Sequence, residues 1–326
     1  MIDKIKFIIL LLTVNILIFS CTKHHDSPGT PAQPELFDTL GAGWQRIQID
    51  PTLNFEDIFF VNNQTGYLCG DHYLGKSTDG GLTWKLIIPD SLKADFENLF
   101  FTDANNGWVF GSGNFSLKTN DGGNTWQKIN HGSLFDGQFF DANNGYVIST
   151  GSLDMARGLY KTSDGGITLQ YLAASSGSYT SGGLFFFDQN KGWYTDKNLN
   201  KTEDAGLSFS KSLAYVNDGE YALQFTDALH GWVAGHGGIF RTTNGGDSLV
   251  PIAGNGIAGG GDIQFFDNNN GFILSGSAIY STTDGGTTLN KMCTIHKTVC
   301  FEISFTDLNH GWAAGSIGYV YRYVKP

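Results

Sequence analysis

Seven pairs of glycine followed by an aromatic residue recur along this chain at a nearly constant interval: Gly66-Tyr67, Gly107-Trp108, Gly145-Tyr146, Gly192-Trp193, Gly231-Trp232, Gly271-Phe272 and Gly311-Trp312. The glycines lie 41, 38, 47, 39, 40 and 40 residues apart. A period near forty, filled by short alternating strands between polar turns, is how a β-propeller reads, each repeat being one small antiparallel sheet. The 44 glycines, seven prolines and 14% aromatic content suit many short strands and turns, and no segment keeps the apolar spacing of a long amphipathic helix. The expected fold is all-β, a seven-bladed β-propeller of four-stranded blades.

The two ends of the repeat array predict how such a ring closes. Earlier repeats continue to an outer strand such as Trp84-Lys85-Leu86-Ile87 or Trp126-Gln127-Lys128-Ile129, whereas the seventh stops at Tyr319-Val320-Tyr321-Arg322-Tyr323-Val324. A matching strand, Trp44-Gln45-Arg46-Ile47-Gln48-Ile49, stands upstream of the first repeat. The N-terminal strand is therefore expected to complete the last blade, which removes an open sheet edge.

Between the glycines runs a second marker, Ser/Thr-x-Asp-x-Gly-x-Thr-Trp, clearest at Ser77, Asp79, Gly81, Thr83, Trp84 and at Thr119, Asp121, Gly123, Thr125, Trp126. Later copies keep the turn and lose the indole: Asp164 with Leu169, Asp204 with Phe209, Asn244 with Leu249, Asp284 with Leu289. The pattern resembles the Asp-box, or BNR, signature of sialidases and other propellers. Its residues suit a tight hairpin, since Asp or Asn accepts backbone N–H bonds and Gly takes positive φ while the large side chain drops between sheets. The acidic residues of these boxes are read as structural.

Ahead of the array, Lys4 and Lys6 precede an apolar run from Phe7 to Phe19, followed by Ser20-Cys21. The run is short for a membrane span, and a small residue before Cys resembles a bacterial lipobox. The expected organisation is a lipoprotein signal peptide over 1–20, a Pro-containing flexible tether over 21–40 and the propeller over 41–326. Cys21 would carry lipid and anchor the chain in a bacterial cell envelope. Cys69 reads as a small buried hydrophobe, and Cys293 and Cys300 as a possible local disulfide, bonded or not. The net charge of −11 argues against nucleic acid or an anionic membrane face as partner.

Candidate binding residues come from the loops opposite the boxes and from the inner strands. Asp71, His72 and Tyr73 form one variable loop; Asp154, Met155 and Arg157 lie in the longest loop of its class and present residue types common at interfaces. Aligned on Phe60, Phe101, Phe140, Phe187, Phe225, Phe266 and Phe305, the repeats place Glu56, Glu97, Asp136 and Asp262 at one position near the start of the inner strand, with Glu220 and Glu302 one place away. Such carboxylates would gather at the mouth of a central channel and bind a cation or a basic segment, or supply an acid with a raised pKa. Tyr73, Phe115 and Tyr179 are aromatics expected to be exposed on the variable face and able to stack on sugar rings.

Catalytic signatures are weak. G-x-S-x-G, H-E-x-x-H and P-loop patterns are missing from the sequence, and Gly254 to Gly259 has G-x-G-x-x-G spacing before a strand rather than a helix. Turns such as Asp103 to Gly107 look calcium-like, yet their glycine falls early and no distal Glu follows. No cofactor and no metal site is expected. Sialidase chemistry needs three arginines around a substrate carboxylate, and the chain holds only Arg46, Arg157, Arg241 and Arg322.

The unit from Phe101 to Trp126 resembles most closely the propeller family of photosystem II stability and assembly factors: a strand ending in Phe, a turn, Gly-Trp-x-x-Gly, then Thr-x-Asp-Gly-Gly-x-Thr-Trp. Phe225 to Gly246 follows it with Asn244 for Asp, and the resemblance covers about 44–324. It implies a non-catalytic disc that offers one face to a protein during assembly of a membrane complex, through an arginine patch in plant and cyanobacterial members that this arginine-poor chain does not match. The expected function is a lipid-anchored extracytoplasmic propeller that binds a protein partner. The alternative is carbohydrate binding or glycoside hydrolysis of the Asp-box propeller type, with Glu56 and Glu97 as the carboxyl pair.

Overall fold

The computed structural model describes residues 39–326 except 89–91, 93, 153, 175–182, 196–197, 216–221, 236, 253–260 and 296–299. The expected signal peptide, Cys21 and nearly all of the expected tether lie outside the described residues, as do Tyr179, Glu220 and the G-x-G-x-x-G segment. The described chain is almost wholly antiparallel β-sheet, with one short 3-10 turn at Ser316–Gly318.

Each repeat meanders outward from a central strand. In the first, β3 (Phe55–Phe60), β4 (Gly66–Gly70), β5 (Tyr73–Ser77) and β6 (Lys85–Leu86) pair in that order, after β1 (Thr39–Leu40) and β2 (Trp44–Gln48) at the N-terminal end. The second strand of the repeat is buried on both faces, which is why Tyr67-Leu68-Cys69 reads as a continuous apolar run without alternation. The turn before it is an Asx turn, Asn62 Oδ1 accepting the N–H groups of Gln64 and Thr65 at 2.9 Å each.

The recurring glycine has a steric cause. It faces a phenylalanine six residues earlier across the hairpin, as in Gly66 opposite Phe60 and Gly145 opposite Phe139. A Cβ on any of the seven glycines would stand 2.1–2.5 Å from that ring. The freed space lets the Phe lie flat against the aromatic residue of the preceding repeat. Tyr67 stacks on Phe101, Trp108 on Phe139, Tyr146 on Phe186, Trp193 on Phe225, Trp232 on Phe265, Phe272 on Phe305 and Trp312 on Phe60, with ring centroids 3.5–3.9 Å apart. Each repeat is thus joined to the next by one stacked pair, and the seventh to the first.

The box turns seal the same junctions. Asp79 Oδ1 accepts the Thr83 N–H (2.9 Å), Asp79 Oδ2 the Thr83 hydroxyl (2.6 Å), and Ser77 Oγ the Gly81 N–H (2.9 Å). The geometry recurs at Asp121, Asp164, Asp204 and Asp284, with Asn244 accepting the Ser248 N–H in its own copy. These bonds hold the Asp121 carboxyl down at about 2. The side chain closing each box packs inward: Trp84 meets Phe60 edge-on at 5.8 Å, and Leu169, Phe209, Leu249 and Leu289 join the clusters between sheets.

At the chain ends, β2 pairs with Tyr319–Val324 from Trp44↔Tyr323 to Gln48↔Tyr319 and becomes the fourth strand of the sheet holding Cys300–Asp307 and His310–Gly315. Thr39 and Leu40, assigned from sequence to the tether, instead form β1, which pairs with Thr294 and Cys293 as a fifth strand on the preceding sheet. The tether reading ends two residues early because Leu40 has an apolar cluster to pack against. Cys293 and Cys300 are buried in that cluster beside Trp44 and Ile279, and Cys69 is buried in another.

Candidate functional site: an acidic cavity at the start of the inner strands

Inner strands of all seven repeats contribute to the wall of one cavity of about 890 Å³, of the size that holds a ligand or a chain segment. Glu56, Glu97, Asp136, Asp262 and Asp71 all line it. The structure therefore gathers the predicted carboxylates, but in a different register. The phenylalanine facing the glycine is Phe139, Phe186 and Phe265 in repeats three, four and six, not Phe140, Phe187 and Phe266. Phe187 and Phe266 point outward and are exposed. Asp136 and Asp262 consequently share their ring position with Asp57 and Glu302, while Glu56 and Glu97 stand one residue earlier, level with Phe135 and Phe301.

Asp57, which the sequence reading passed over, is the most buried of the group at 5% exposure. It accepts the Leu99 N–H of the next repeat at 2.5 Å. Asp262 does the same for the Ile303 N–H at 3.1 Å, and the Leu184 N–H bonds Asp136. These carboxylates tie successive inner strands. Burial raises the Asp57 and Asp262 carboxyls well above the usual range against those N–H bonds, and the Asp262 and Asp136 charges push Asp57 further. Burial likewise lifts Asp136 to about 6, and burial and then the Asp95 charge raise Glu97. Deeper in the channel the ties are neutral: Gln138, Gln224 and Gln264 each exchange two hydrogen bonds with the backbone of Phe186, Phe265 and Phe305 respectively.

The loop candidates divide. Asp71 accepts a hydrogen bond from Asn54 (2.7 Å), and the exposed His72, held at φ 51°, pairs with Asp95 on the cavity rim at 3.1 Å. Tyr73 is buried against Phe55, and Phe115 is buried in a core cluster, so neither offers a face for a sugar ring. Met155 is a core residue too: it fills the space left beside Gly132 and packs with Trp108 and Tyr160. Arg157 Nε donates to the Thr150 carbonyl at 3.0 Å, and Asp154 remains exposed, away from the cavity wall. The other arginines are equally committed. Arg46 lies over Tyr319, Arg241 over Trp232, and Arg322 Nε donates to the Gly80 carbonyl at 2.8 Å.

A family model described as photosynthesis system II assembly factor YCF48 matches residues 38–168. A curated relative, the photosystem II assembly lipoprotein Ycf48 of Synechococcus sp. (strain CC9902), is 25% identical over 127 residues, 38% of this chain and 38% of its own length. Over that segment the chain is similar to the photosystem II assembly factor propellers. Solved structures agree on the fold: one described as YCF48 bound to D1 peptide has a TM-score of 0.69 at 22% identity, covering 87% of this propeller's chain and 97% of its own. YCF48 from Cyanidioschyzon merolae has a TM-score of 0.66 at 20% identity, covering 87% and 99%. No group of three or more His, Cys, Asp or Glu among the described residues has metal-holding geometry.

Proposed function

We propose that this chain is a non-catalytic, seven-bladed propeller, closed by its N-terminal strand and anchored by lipid on Cys21 outside the cytoplasm of a bacterial cell, that binds a protein partner during assembly of an envelope or membrane complex. The observation that carries the reading is the cavity itself: a concave site on a rigid ring, in a family with a member solved with a peptide bound. Its deep carboxylates are occupied as acceptors between strands, and the cavity's described lining holds no arginine. The relative named a lipoprotein supports the anchor, with 1–20 as signal peptide and the tether ending before Thr39.

Chemical cross-linking in intact cells, followed by purification from membranes and mass spectrometry, tests the reading together with fatty-acid labelling of wild type and Cys21→Ser. One cross-linked envelope protein and label lost in the variant are expected. Polysaccharide cleavage by the purified protein, abolished in Glu56→Gln/Glu97→Gln, would replace it with the hydrolase reading.

A further inference from the structure

Turns between the second and third strands of the repeats pass through the left-handed region, and most fill it with residues suited to it: Gly276 in the sixth repeat (φ 57°), Asn114 in the second (φ 54°) and His72 in the first (φ 51°). The seventh repeat places Ile317 there, at φ 51° and ψ 34°. A side chain branched at Cβ crowds the backbone in this region, so Ile317 is a true conformational outlier. Burial does not drive it there, since the residue is 43% exposed. The surroundings hold the backbone in place: Asn54 Oδ1 accepts the Ile317 N–H at 3.1 Å, and the Gly318 carbonyl accepts the Ile49 N–H at 2.9 Å. Asn54 also donates to Asp71 at 2.7 Å, and Asp71 lines the cavity. The strained turn is thus fixed to the cavity rim at the junction of the seventh and first repeats. A lone exposed isoleucine needs no explanation. An exposed isoleucine in a conformation that glycine or asparagine adopts freely does, because the fold gains nothing from its side chain.

On the reading that this propeller binds a protein, we infer that Ile317 is an anchor of the interface: a partner engaging the cavity mouth extends over this junction and receives the isoleucine in an apolar socket of its own. The strain falls on the free propeller, and contact made through the side chain offsets it in the complex. A branched side chain on a turn held from both sides has little freedom left to lose on docking, which suits an anchor.

The test takes two readouts from the full-length lipidated protein: its melting temperature in detergent, and the yield of partner adduct formed in intact cells with an amine-reactive bis-succinimidyl cross-linker. Ile317→Gly and Ile317→Asn relieve the turn and are expected to raise the melting temperature by about 2–4 °C while cutting the adduct about fivefold or more. A merely structural residue would move both readouts downward together. Ile317→Val keeps the branched apolar shape and should hold the adduct within about twofold of wild type. Ile167→Asn, at an exposed isoleucine in a box turn at the opposite ends of the strands, should also change it less than about twofold. Wild-type adduct yield in both relieved variants, an equal loss from Ile167→Asn, or a melting temperature that fails to rise in either relieved variant would overturn the inference and leave the protein-binding function standing. No adduct from the wild type would remove both.

Discussion

Trp312 shows how one side chain joins two repeats. Its indole stacks on Phe60, and its Nε1 donates to the Gly80 carbonyl at 2.8 Å. Trp108, Trp193 and Trp232 donate likewise to Gly165, Gly245 and Gly285, and Tyr67 to Gly122. The sixth repeat alone has Phe272 there, without a donor, and the repeat that follows is the one without a box. The donor is absent where there is no box carbonyl to receive it. Trp312→Ala should therefore cost about 3–5 kcal/mol in urea unfolding, as for other buried aromatics. Trp312→Phe should cost only about 1 kcal/mol, because Arg322 still satisfies Gly80. Phe272→Trp should gain no stability.

At the scale of elements, β1 and β2 serve two different sheets. The pairing of β2 covers the edge of Tyr319–Val324 and buries Trp44 against Phe305 and Tyr323. A chain starting at Ala42 loses β1 alone and is expected to melt a few degrees lower, about 2–4 °C for each kcal/mol lost. A chain starting at Pro51 also loses β2, leaves an open edge and should aggregate or fail to melt cooperatively. Scanning calorimetry and size-exclusion chromatography distinguish the two. The β2 strand was legible in sequence as the outer strand the last repeat lacked. The two-residue β1 carries no periodicity of its own, and its pairing depends on the cluster formed by distant residues around Cys293 and Ile279.

For the whole molecule, the channel sets a pH dependence. Asp136 releases its proton near pH 6 when folded and near 3.9 when unfolded. Between those values the folded state holds a proton that the unfolded state has lost, so stability falls as pH rises from about 4 to 6 and then levels. Asp57 and Asp262 act in the same direction and extend the fall upward. The urea midpoint should decline across this range, and Asp136→Asn, which retains an oxygen to accept N–H bonds, should flatten the decline. A slope unchanged in the variant would assign the dependence to other groups.

The forty-residue period, the Gly-aromatic pairs and the box spacing determined an all-β repeat fold and the side chains that join its sheets, because strand length, turn geometry and ring stacking depend on residues close together in each repeat. The acidic cavity needed more. Phe-Phe pairs at 59–60, 100–101, 139–140 and 265–266 leave two choices for the inward ring, and strand side chains alternate, so a one-residue slip moves every neighbour to the other face. The constant six-residue step from phenylalanine to glycine could have chosen between them and revealed Asp57. Only the tertiary structure decided it, through contact between the ring and a glycine with no Cβ, and only there did Met155 and Tyr73 prove to be core, since burial depends on which distant strands stand beside a loop.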